Sequence, residues 1–224
     1  MKLNSKTIVP SALLTAILAL LTATFPGTAT AATTVITGGT ETNTTGFYSG
    51  GATYGFDFTS TIAQQINALG FWDAGAKGLG TSSYTVGLWN SSGTLLDSVT
   101  ISNADALDTS VTVNGGQWRY KTLGTTVNLT NGASYTMGFY NTTTLSPFES
   151  LILDSSVTTA STVSIINQVR VLGGSGLAFP TNIQPSNNAY IAQVNAKFVP
   201  EPGSAGLMIL GSLMLLGRRR KTKD

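Results

Sequence analysis

The chain of 224 residues contains no cysteine and no histidine. Without cysteine it forms no disulfide, no thiolate zinc site and no iron–sulfur cluster. Without histidine it has no imidazole metal ligand and no Ser-His-Asp or Cys-His catalysis. Charge is scarce as well: Asp, Glu, Lys and Arg make up 10% of the residues, against roughly 25% in an ordinary soluble domain. Carboxylate pairs, Lys or Tyr chemistry and oxygen-ligated metals are the routes to catalysis that remain.

The few charges are unevenly placed. The formal net charge of +2 comes from the tails, because residues 32–199 hold five basic and eight acidic residues, a net charge of −3. Nucleic-acid binding requires a clustered basic face to neutralise phosphates. The middle of the chain offers none, so no nucleic-acid partner is expected.

Both ends read as addresses. Lys2 and Lys6 precede the apolar run Ala12–Leu21, and Ala29-Thr30-Ala31 supplies small residues. This is the pattern of a secretory signal peptide, residues 1–31, with signal peptidase cutting between Ala31 and Ala32. An uncleaved membrane helix is the other reading, and the run is short for one. At the far end Pro200-Glu201-Pro202 leads into Gly203–Gly217, which carries no charge, and then into Arg218-Arg219-Arg220-Lys221. As a helix the apolar part spans about 22 Å, short of a ~30 Å hydrocarbon core. Snorkelling by Arg218 and local thinning allow a transient span with the basic cluster cytoplasmic.

That C-terminal order of Pro-Glu-Pro, apolar segment and Arg-rich end resembles the PEP-CTERM sorting signal of exported bacterial proteins. The resemblance covers residues 199–224 and is carried by Pro200, Glu201, Pro202, Arg218, Arg219 and Arg220. It implies recognition and removal of the tail by an exosortase, a membrane transpeptidase-like protease, in a bacterium that makes exopolysaccharide and biofilm. An ordinary single-span anchor is the competing reading. Two prolines bracketing an acid form a stiff, extended peptide that a protease can grip.

Between the ends, residues 32–198 alternate with period 2, as half-buried strands do. Examples are Tyr54/Phe56/Phe58, Tyr84/Val86/Leu88, Tyr135/Met137/Phe139 and Val194/Ala196/Phe198. Ser92-Gly93, Asn114-Gly115-Gly116 and Asn131-Gly132 read as turns. Strands are predicted at 34–37, 53–59, 65–72, 83–90, 94–101, 109–113, 117–122, 125–129, 133–140, 150–154, 162–171 and 189–198. Thr61–Leu69 alone carries a competing helical spacing. The fold class predicted is all-β, an antiparallel, jelly-roll-like β-sandwich between a signal peptide and a C-terminal transmembrane sorting helix.

Leu69-Gly70-Phe71-Trp72-Asp73, Tyr84-Thr85-Val86-Gly87-Leu88-Trp89, Gly93-Thr94-Leu95-Leu96 and Tyr135–Tyr140 resemble a recurrent bacterial extracellular β-sandwich of unknown function. The resemblance implies a fold and an extracellular setting and no activity.

Candidate ligand residues are Trp72, Asp73, Trp89 and Trp118. Flat aromatic faces suit the C–H faces of sugar rings, although large aromatics also dominate cores. Asp73 precedes the Gly-rich stretch Ala74–Leu79, where Ca²⁺ ligation competes with capping of its own turn. Asp105/Asp108 and Glu149/Asp154 are the closest acid pairs, and a glycosidase needs two carboxyls facing each other. Asp105–Asp108 reads as a loop, so no catalytic residue is assigned.

The function expected is that of an exported, non-catalytic surface or extracellular-matrix protein. Its partners would be signal peptidase, the exosortase and, through the C-terminal helix, the membrane. It would be transiently anchored there before reaching the cell surface or matrix. The alternative is a carbohydrate-binding module for extracellular polysaccharide, with Ca²⁺ as its one conceivable cofactor.

Overall fold

Two runs with large apolar residues at every second position, Tyr54/Phe56/Phe58 and Tyr135/Met137/Phe139, lie antiparallel, with Phe56 opposite Met137 and Phe58 opposite Tyr135. Their side chains all point into one core. The polar residues between them, Thr53, Asp57, Thr136 and Tyr140, are left on the other face of the sheet, as a period of two requires.

The computed structural model describes residues 33–39, 50–76, 78–79, 82–113, 116–141, 152–153, 157–184, 190–191 and 193–199. In chain order the strands are β1 (Ile36–Gly38), β2 (Ala52–Ser60), β3 (Gln64–Asp73), β4 (Tyr84–Asn90), β5 (Leu95–Ile101), β6 (Leu107–Val113) and β7 (Gly116–Leu129). They continue with β8 (Ser134–Asn141), β9 (Ile152–Leu153), β10 (Thr158–Thr159), β11 (Val163–Leu172), β12 (Asn182–Gln184), β13 (Tyr190–Ile191) and β14 (Val194–Phe198). One sheet has the order β12-β11-β2-β8-β4-β5 and a second the order β14-β3-β7-β6. β1 pairs with β10 and β13 with β9 in two short ribbons. Every strand pairing among the described residues is antiparallel. The chain crosses between the large sheets from β2 to β3, β3 to β4, β5 to β6 and β7 to β8.

The sheets meet face to face through aromatic rings. Phe71 of β3 stacks on Tyr84 of β4 with centroids 4.1 Å apart and planes 9° from parallel. Its edge also meets Phe139 of β8 at 5.1 Å. Residues Ala32–Val199 form one compact unit. Among the described residues, no helix is long and apolar enough to cross a membrane.

The all-β, antiparallel expectation holds, and several boundaries change. Residues 117–122 and 125–129 belong to one strand, β7. Its pairing with β3 jumps from Ile66–Val127 to Ala68–Thr122, so the surplus residues form a bulge and the strand continues. The predicted strand 189–198 is instead two, because β13 pairs with β9 while β14 pairs with β3. Alternation in sequence does not register a change of partner. The helical option for Thr61–Leu69 loses to β3, which starts at Gln64. β10 and β12 were not expected, being too short for a period to show. The Ser92-Gly93 turn is present, with Gly93 at φ +80° and the Asn90 side chain accepting from Ser92 N and Thr94 N.

Candidate functional site

The outer face of the six-stranded sheet follows from register. Thr53, Gly55 and Asp57 of β2 stand opposite Tyr140, Gly138 and Thr136 of β8. On β4, Gly87 is opposite Gly138 and Trp89 opposite Thr136. Gly55, Gly138 and Gly87 therefore form a row without side chains across three strands. That trough is filled by the chain itself. Residues 173–181, between β11 and β12, run over it as a strap. Gly174 N donates to Gly51 O at 2.7 Å and Ala178 N to Thr53 Oγ1 at 3.1 Å. The Tyr140 hydroxyl donates to Gly174 O at 2.9 Å. A Cβ on Gly87 would come within 2.7 Å of Leu177, so a side chain there would lift the strap.

The strap covers only part of the face. Beside its end lies a groove of about 330 Å³, within the size range of small-ligand sites. Asp57, Thr136 and Ser134 form its floor. One wall is Ile166 and Val169 of β11 with Ile183 of β12, and the other is Phe179 and Pro180 of the strap. A bulge supplies Ile166: β11 slips register against β2 between Ile165 and Asn167, and the extra residue turns outward. Ile166 is 43% and Ile183 60% exposed, which is unusual company for a carboxylate.

Among the described residues, Asp57 is the one charged residue lining this groove. Thr136 Oγ1 donates to its Oδ1 at 2.6 Å, and among the described residues no donor reaches its Oδ2. Burial pushes its pKa above the usual 3.8, and the Thr136 hydrogen bond opposes the shift. A carboxyl whose folded pKa is raised binds more protons in the folded state. Its contribution is therefore favourable at low pH and is lost as pH rises through the folded pKa. Asp57→Asn is expected to raise the urea midpoint relative to the parent at pH 7, with the gain vanishing below the unfolded-state pKa.

The residues singled out in sequence lie elsewhere or serve packing. Trp72, Trp89 and Trp118 are 2%, 3% and 0% exposed, so the expected tryptophan platform for sugars is corrected: no ring face is open. Trp72 and Trp118 are cross-strand partners with rings 5.1 Å apart and edge-on. Gly116 leaves the space over which the Trp72 ring lies. Trp89 is on the outer face but is capped by Phe179, with centroids 6.2 Å apart.

Asp73 is buried and caps its turn, accepting Gly78 N at 2.9 Å on Oδ1 and 3.2 Å on Oδ2. Arg119 Nε donates to Oδ2 at 2.8 Å. The Ca²⁺ reading of Asp73 is thereby corrected, because a guanidinium stands where a cation would be held. Among the described residues, no three acids gather to bind a metal.

Asp105 and Asp108 are held by different partners. Asp105 Oδ2 accepts Ser102 N at 2.8 Å, and Asp108 pairs with Lys197 at 2.7 Å. Lys197 also lies over the Tyr120 ring at 4.4 Å. Burial, with Asp108 nearby, pushes the Tyr120 pKa well up, so that phenol stays neutral. Glu149, Asp154, Ala29, Ala31, Ala32, Pro200, Glu201, Pro202 and Arg218–Arg220 lie outside the described residues.

Sequence reasoning passed over the groove. Its one trace was an acid between two inward phenylalanines, Phe56-Asp57-Phe58. Phe179 and Ile183 come from a stretch with no period.

No curated protein and no solved structure matches the chain. A family profile described as a domain of unknown function, DUF4082, matches residues 38–192, more than two thirds of the chain. The match takes in both walls and the floor of the groove and stops just before β14. On that match the chain belongs to the DUF4082 family of domains of unknown function.

Proposed function

We propose that this chain is an exported, non-catalytic surface or extracellular-matrix protein. Signal peptidase removes residues 1–31, and the C-terminal segment holds the domain at the membrane until an exosortase processes it. The observation that carries this reading is the pair of opposed addresses. A leader stands at one end, and Pro200-Glu201-Pro202, an apolar run and Arg218–Arg220 stand in order at the other. The extent of the compact unit, Ala32–Val199, supports it, because the addresses fall on either side. The tasks of three of the described acids support it too, since Asp73, Asp105 and Asp108 tie turns and strands together.

The intact mass of the protein from its host tests this. A mass lacking residues 1–31 and a segment beginning near or beyond Pro202 is expected. Loss of the N-terminal piece alone would replace sorting with permanent anchoring.

The groove over Asp57 favours a second reading for the domain itself, as a module that binds extracellular carbohydrate. Polar groups on the floor and apolar walls are the lining of a small-ligand site.

A further inference from the structure

The groove combines features that restrict its ligand. Among the described residues no basic side chain lines it, so a phosphate, sulfate or uronate would meet the Asp57 carboxylate without a counter-charge and be repelled. Asp57 lines the groove, and among the described residues no donor reaches its Oδ2, so a ligand seated there is one that donates hydrogen bonds. Ser91, Ser134 and Thr136 add hydroxyls around it. Phe179 and Ile183 on opposite walls require an apolar face on the same ligand. For a cation, one carboxylate with Oδ1 already accepting from Thr136 is a sparse site, whereas the hydroxyls of Ser91, Ser134 and Thr136 beside it match the hydroxyls of an uncharged ring.

We propose that this groove binds an uncharged sugar ring of an extracellular glycan. The ring's hydroxyl edge lies on Asp57 and its C–H face against Phe179 and Ile183. The assignment rests on reading the domain as a carbohydrate-binding module. It adds the site, the selectivity for neutral sugars and the two devices that build it, the Ile166 bulge and the 173–181 strap.

The test is calorimetric titration of the full chain with hexameric neutral glucan, mannan and galactan, and with galacturonate and glucosamine hexamers of equal length. At least one neutral hexamer is expected to bind, and galacturonate at least about tenfold more weakly. Asp57→Asn is expected to weaken neutral binding about tenfold. Ile183→Ser, at a side chain too exposed to unfold the core, is expected to weaken it about fivefold.

Tighter binding of glucosamine or equal binding of galacturonate would overturn the neutral-sugar assignment. Neutral binding unchanged in both variants would overturn this site and leave the carbohydrate reading standing. Binding of none of the five hexamers would overturn both.

Discussion

Arg119→Ala is expected to destabilise the domain by about 3–5 kcal/mol, because it strands a buried carboxylate. Arg119 links three segments. Its Nε donates to Asp73 at the end of β3, and its Nη1 donates to the backbone oxygens of Asn103 at 3.0 Å and Asp105 at 2.8 Å. Those carbonyls belong to the loop that carries the chain from β5 in one large sheet to β6 in the other. Among the described residues, removing the guanidinium leaves Asp73 with only Gly78 N for a donor, and it frees the crossover loop. A lower urea midpoint with unchanged slope would report a pure loss of stability. Asp73→Leu combined with Arg119→Met is expected to cost much less than Arg119→Ala, since a buried pair replaced as a pair leaves no orphaned charge. A double variant as unstable as the sum of its parts would show that the loop contacts, rather than the ion pair, carry the effect.

Phe71→Ala is the other large effect, also about 3–5 kcal/mol, by cavity formation. Phe71 is fully buried at the middle of the sandwich. It stacks on Tyr84 and meets Phe139 edge-on, so one ring on the four-stranded sheet contacts two strands of the six-stranded sheet. Aromatic pairs of this kind contribute about 0.5–1.5 kcal/mol each beyond area burial. Phe71→Leu keeps most of the apolar volume and is expected to cost well under half as much. Thermal denaturation of the two variants beside the parent separates these outcomes. Equal losses for Ala and Leu would mean that ring geometry, rather than volume, holds the sheets together.

The strands were legible where alternation was long. β2, β4, β5 and β8 lie within a residue or so of their predicted positions, since burial of one face imposes the same period on sequence and structure. Residues 189–198 show the limit: five alternating apolar positions span two strands in different sheets. Tryptophan shows another limit. A large aromatic fits a core and a sugar platform equally well in sequence, and burial alone separates them. For Trp89 the deciding element is Phe179, ninety residues downstream. The Asp73 reading turned in the same way on Arg119, whose distance in sequence hides a 2.8 Å contact.

Composition and local pattern by themselves determined what this chain cannot be and how its strands face. No cysteine or histidine removes whole classes of chemistry, and period-2 alternation selects antiparallel sheets with one buried face. Tertiary structure alone decided which residues form a site. The groove is assembled from a central acid, a bulge that turns Ile166 outward, an unperiodic strap and the short hairpin strand bearing Ile183. Each is unremarkable in its own stretch of chain. Only strand pairing over more than a hundred residues of separation brings Asp57 beneath Phe179 and Ile183, and long-range pairing leaves no local signal to read.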